Sequence, residues 1–272
     1  MALGDLGKKV SGALVGTIKG AGNVVEATAD VTRKALVEPL KIARDVAKEA
    51  TGLVGDSIAG VIQAANQTGT ELGSAVKGAV IGSMQGVGEV TTVTKDMVTD
   101  IVRAAIKGTK DVGGDVGKTA RAAAEGAMEA TKSVGLKIED TAFSIPRGAI
   151  QGARDVGADI GSVVKDTVHG TIVGTKQVGG DVMGAVRSSA SGAVKATAEV
   201  GGDIGEAARN AVEGAIDGAK EIGVSAEDAA SEAATGALEA AGEIGEAAVK
   251  SVRNVLAGTV SGVKVVLKAP FK

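Results

Sequence analysis

Residues 109–152 read TKDVGGDVGKTARAAAEGAMEA and then TKSVGLKIEDTAFSIPRGAIQG, two units of 22 residues in one frame. Residues 153–218 continue as ARDVGADIGSVVKDTVHGTIVG, TKQVGGDVMGAVRSSASGAVKA and TAEVGGDIGEAARNAVEGAIDG. Carried to both ends, the frame gives about twelve units over 1–272 with no insertion or deletion. The twentieth place of each is large and apolar: Ile18, Leu40, Ile62, Met84, Ile106, Met128, Ile150, Ile172, Val194, Ile216, Leu238 and Val260. A chain built this way is an array that offers one surface many times, which points to scaffolding or surface binding and away from a catalytic pocket.

Each unit is two elevens with one apolar pattern. Eleven residues over three turns is about 3.67 per turn, close to a straight α-helix. A strand needs alternation of period two, which is absent. On such a helix Lys110, Asp111, Asp115, Lys118, Arg121 and Glu125 gather on one arc, and the remaining arc is apolar or small and wider than the usual amphipathic stripe. Its middle carries Val112, Val116, Val156, Ile160, Val178, Val182, Val200 and Ile204, the residues expected to meet lipid or a partner. Gly126, Gly148, Gly170, Gly192, Gly214 and Gly236 flank that face. With Gly-x-x-x-Gly spacings such as Gly148/Gly152 and Gly170/Gly174, they are expected to make helix–helix contacts.

Glycine costs a helix about 1 kcal/mol relative to alanine. A chain with 42 of them is expected not to hold an isolated helix in water. The favoured fold is all-α: a long amphipathic helix or helices built on the 11/22-residue period, with little or no compact globular core. Bends are expected near Pro39 and, in the divergent Phe143-Ser144-Ile145-Pro146, near Pro146. A second geometry makes turns of Gly113-Gly114-Asp115, Gly157-Ala158-Asp159, Gly179-Gly180-Asp181 and Gly201-Gly202-Asp203, glycine ending one helix and aspartate capping the next. Each unit would then be one helix in a zigzag wall. The matching places before residue 109 read Val25-Glu26-Ala27, Ala47-Lys48-Glu49 and Thr91-Thr92-Val93, with no such signal. Turns also tolerate length changes, and none occurs. Both observations favour the continuous helix.

Composition narrows the function classes. The chain has no Cys, Trp or Tyr, two Phe and a net charge of −3. Near-neutral charge argues against nucleic acid as a partner. With so little bulky apolar content the chain needs another surface: copies of itself, lipid or another apolar phase. No stretch reaches the roughly 18 consecutive apolar residues of a membrane span, 51–94 coming nearest, and the N-terminus has no long apolar signal region. One His and no Cys leave zinc without a ligand set. Gly113-Gly114-Asp115-Val116-Gly117-Lys118-Thr119 resembles the end of a phosphate loop, but Val112 stands where the first glycine belongs. His169 falls on the polar arc and reads as a solvated side chain. Met84 and Met128 read as packing residues. No catalytic residue, cofactor or metal is expected. Residues 197–240 carry ten acids against Arg209 and Lys220, and the tail 263–272, VKVVLKAPFK, is basic and apolar. The two could join subunits or dock on an anionic surface.

The units TKDVGGDVG, TKQVGGDV and TKSVG, set in eleven-residue steps, resemble the repeats of synucleins and perilipins, and more loosely those of exchangeable apolipoproteins and late-embryogenesis-abundant proteins. The resemblance is one of pattern over the whole chain. It implies a chain disordered in water that becomes a long helix on a lipid surface. The resulting expectation is a non-enzymatic structural scaffold that self-assembles as a homopolymer on or around a lipid or other hydrophobic phase. Its expected place is cytoplasmic, peripheral to a membrane or apolar inclusion. A lipid-free filament or tube and a disordered stress-protectant chain are the alternatives.

Overall fold

A computed structural model describes residues 3–18, 22–43 and 45–267. The glycine–aspartate steps are turns. Gly113 takes left-handed backbone at φ +69, and Gly135, Gly157, Gly179, Gly201 and Gly223 do the same at 22-residue intervals. A β-carbon resists that conformation, so the helix stops there. Two residues on, Asp115, Asp159, Asp181 and Asp203 accept the N–H groups of Lys118, Ser162, Met183 and Glu206 and start the next helix.

Among the described residues this gives α1 (Asp5–Ile18), α2 (Val24–Ile42), α3 (Val46–Thr68), α4 (Leu72–Gly88), α5 (Lys95–Asp111), α6 (Val116–Thr131), α7 (Ile138–Val156), α8 (Ile160–Gln177), α9 (Val182–Glu199), α10 (Ile204–Ile222), α11 (Ala226–Ile244) and α12 (Glu246–Leu256). A short antiparallel hairpin follows, β1 (Thr259–Val260) and β2 (Val263–Lys264). Each helix packs most closely on the next but one and more lightly on the next. Odd-numbered helices therefore form one layer and even-numbered helices a second. The core lies between them, and all twelve twentieth-place residues, from Ile18 to Val260, are buried in it. The hairpin folds back on α11 and α10, with Val260, Val263 and Val265 buried.

The favoured continuous helix is thereby corrected. The chain is all-α, but its helices are short and packed around a substantial core. The absence of length variation has a physical cause: the connection from α5 to α6 is four residues, Val112–Asp115, and has no slack between two packed layers. The turns before residue 109 were missed because two of them lie about one helical turn upstream of the frame, where Asn23 and Asp45 cap α2 and α3. The 23-residue α3 absorbs the offset. Pro39 lies in α2 and Pro146 in α7, and the helix continues through each.

Candidate functional site

The glycine flanks set the geometry from which any site must be built. A β-carbon added at Gly126 would lie 2.7 Å from the Lys77 carbonyl oxygen, inside van der Waals contact. At Gly148, Gly170, Gly192, Gly214 and Gly236 it would press still closer on the carbonyls of Thr99, Arg121, Phe143, Lys165 and Arg187. Each glycine thus seats its helix on the backbone of the helix two before it, within one molecule. The valine row lies elsewhere. Val112, Val178 and Val200 are C-caps, Val156 ends α7, and Val116, Ile160, Val182 and Ile204 open their helices. All eight are half-buried. Helices that stop at Gly113, Gly157, Gly179 and Gly201 cannot align them along one face.

Counting in 22s, the seat falls at Gly16, Glu38, Gly60, Gly82, Ala104, Gly126 and then glycine at every step to Gly236. Glu38 and Ala104 are the exceptions, and of the two only Ala104 lies on a helix that has another two before it. Gly78 and Gly82 rest on Val25 and Ala29, 53 residues earlier, whereas Gly126 and its successors rest on residues 49 earlier. The register between neighbours therefore slips by about one helical turn, and α3 and α5 meet where it slips. Gly55, 49 residues before Ala104, has nothing among the described residues within 4 Å of where its β-carbon would be, and neither has Gly52. The result is a trough between α3 and α5. Two adjoining cavities of about 340 and 400 Å³ mark it, floored by Gly55, Ala59, Ala104 and Gly108 and rimmed by Thr51, Asp100, Arg103 and Lys107. Leu3 lines one end. Thr51 donates to Asp100 across the other at 2.9 Å.

The outer faces of both layers are ion-pair ladders in which a base on one helix meets an acid two helices on. Arg103 reaches Asp155 at 2.7 Å, Arg147 reaches Glu199 at 3.1 Å, and Lys165 reaches Asp217 at 2.9 Å. Arg187 donates to Glu239 at 3.0 Å. Most of these pairs run from an earlier base to a later acid, which matches the excess of acids late in the chain. The acidic segment 197–240 includes these partners, among them Glu199, Asp217 and Glu239. The Arg103 guanidinium holds the Asp155 carboxyl below its ordinary value. Glu221 is pushed up by burial, but hydrogen bonds from Arg121 and His169 outweigh this and leave it lowered. Asp166 goes the other way: partial burial, then the nearby charge of Asp115, raise it.

His169 is not the solvated side chain expected. Its side chain is 12 % exposed and its Nε2 lies 2.8 Å from Glu221. The resemblance to a phosphate loop dissolves into a C-cap at Val112, a left-handed Gly113 and an N-cap at Asp115. Met84 and Met128 are fully buried. Among the described residues no three His, Cys, Asp or Glu side chains come together to hold a metal, and no helix is long and apolar enough to cross a membrane. Of the tail 263–272, residues 263–267 are described and 268–272 lie outside the described residues. No family model matches the chain, and no curated protein matches it significantly. The trough is the candidate site because, among the described residues, it lies where Ala104 interrupts the glycine seats and open space is left between two helices of one layer. Sequence reading missed it, although Ala104 breaks the glycine series in plain view.

Proposed function

We propose that the chain is a non-enzymatic structural scaffold, folded in water without lipid, that associates with copies of itself. One observation carries the reading. The glycine seat that builds the interior recurs on α1 at Gly16, and there nothing among the described residues lies within 4 Å. A surface with the form of the molecule's own internal joint is left without a partner. The ladders suit the same role: bases and acids are matched to one another along the array, which supports a rigid element and leaves few groups poised for acid–base chemistry. The test is molar mass by light scattering across a micromolar series in lipid-free buffer. A mass that rises with concentration while helicity stays constant is expected. A monomer throughout would refute the reading.

A second reading, contact with an anionic lipid surface, is favoured by the C-terminal end. Val255 and Val266 are exposed large apolar residues, and Lys250, Arg253 and Lys264 are bases of the same region. Exposed apolar residues with nearby bases suit a peripheral contact. Co-sedimentation with anionic but not neutral phosphatidylcholine vesicles, abolished by Val255→Asp with Val266→Asp, would support it. Equal pelleting of the double variant would remove it.

A further inference from the structure

We infer that two copies pair through helix α12, antiparallel about a two-fold axis, so that Glu246 of each meets Arg253 of the other. This rests on the self-association reading and places a contact at the end of the array opposite α1. Glu246, Val249, Lys250 and Arg253 follow one another at intervals of three, one and three residues, and so share one face of α12. That face looks away from the rest of the molecule. Ser251, on the far side of the helix, stands against Gly205 of α10, and Ala248, Val252 and Leu256 are buried in the core. The terminal hairpin packs on α11 and α10 and leaves the face open. A cavity of about 370 Å³ marks it, lined by these four residues and by Gly242, Gly245 and Asn254.

The charges on this face are unspent. Glu246, Lys250 and Arg253 are exposed, and their side chains make no ion pair or hydrogen bond with the described residues. The interior differs. Lys77, Arg121, Lys165, Arg209 and Arg253 stand 44 residues apart, and within the array Lys77 lies 3.1 Å from Glu129 and Lys165 2.9 Å from Asp217, each acid two helices on. Among the described residues no helix lies beyond α12 to answer Arg253. A second copy supplies the acid. Glu246 and Arg253 are about 10.5 Å apart along the helix axis, symmetric about a point between Val249 and Lys250. A two-fold through that point brings each Glu246 to the other copy's Arg253 and lays each Lys250 stem along the other's Val249. Acid and base stand on one helix, so one operation makes every contact, as an isologous joint requires. One 11-residue helix per copy is a small surface, and the dimer is expected to be weak.

Charge reversal tests the pairing. Glu246→Arg and Arg253→Glu each set like charges against one another at both contacts. Sedimentation equilibrium of the full chain at up to about 500 μM reads wild type, each variant and an equimolar mixture of the two variants, with far-UV circular dichroism as a control for folding. Wild type is expected to approach twice the chain mass. Each variant alone is expected to keep its helicity and to raise the dissociation constant at least about tenfold. In the mixture, position 246 of one variant meets position 253 of the other with opposite charge at both contacts, and the mass is expected to rise again. A damaged α12 or a contact elsewhere on the molecule would not give that rescue. Variants that associate as tightly as wild type, or a mixture no tighter than its components, overturn the inference and leave self-association standing. A wild type that stays monomeric overturns the inference and the proposed function together.

Discussion

Alanine placed at two glycines of one kind is expected to act with opposite signs. At Gly126 the added methyl would sit 2.7 Å from the Lys77 oxygen and 3.3 Å from the Lys77 carbonyl carbon and Cα. Relief requires α6 and α4 to part by several tenths of an ångström. Both helices are also held by neighbours in their layer, so the shift cannot stay local. Overpacking of this kind costs about 1–3 kcal/mol. The gain in helix propensity returns up to about 1 kcal/mol. Gly126→Ala is therefore expected to destabilise by about 1 kcal/mol, and Gly148→Ala, with its tighter seat on Thr99, by more. At Gly16 nothing lies within 4 Å, so only propensity acts and Gly16→Ala is expected to stabilise by up to about 1 kcal/mol. Urea denaturation followed by circular dichroism, at concentrations below any association, measures all three. Equal stabilisation at Gly16, Gly126 and Gly148 would mean that no helix sits against the interior glycines, and the seat reasoning would fall.

Asp159→Ala removes the cap on the Ser162 N–H and is expected to cost about 1 kcal/mol in the same assay. Asp166→Asn should stabilise the protein at neutral pH: the folded state raises this carboxyl above its ordinary 3.8, so its charged form is disfavoured by folding. That gain should vanish at pH below the ordinary value, where the wild-type acid is neutral in both states, and a gain independent of pH would show that charge is not the cause. Asp155, held below 3.8 by Arg103, acts oppositely. Its contribution is present at neutral pH and lost as pH falls through its folded value, so Asp155→Asn should flatten the acid limb of a pH–stability curve. Arg147→Ala breaks ladder contacts to Glu199 and Asp96 in which every partner is more than a third exposed. A loss under about 1 kcal/mol that shrinks with salt is expected.

Helix, period and core places were legible because they depend on local chemistry. Twentieth-place residues such as Met84 and Ile150 are buried as a helical period demands. The choice between continuous helix and zigzag turns on Gly113 and Asp115, whose turn chemistry stands against the lack of any such signal at places such as Val25-Glu26-Ala27. Those places were silent because the caps Asn23 and Asp45 lie about a turn upstream, a slip that only the partner helix reveals. Val112 and Val116 fall on one side of a helical wheel only while the helix runs through Gly113. The glycine seats were visible as small flanks, but their partners, backbone carbonyls 49 residues earlier, lie beyond any local pattern. Ala104 gains meaning only against them.

The central claim is that each helix lies beside the next but one in dilute, lipid-free water. The absence of native cysteine allows clean double labelling. Spin labels at Ser162→Cys and Glu206→Cys mark exposed places on α8 and α10, 44 residues apart. Packed helix axes lie about 8–10 Å apart, so pulsed dipolar spectroscopy, with unlabelled protein in excess, should give one narrow distribution at short range. A continuous helix would place the same sites about 66 Å apart at 1.5 Å per residue. That long distance, or a broad distribution that narrows only when vesicles are added, would contradict the layered fold.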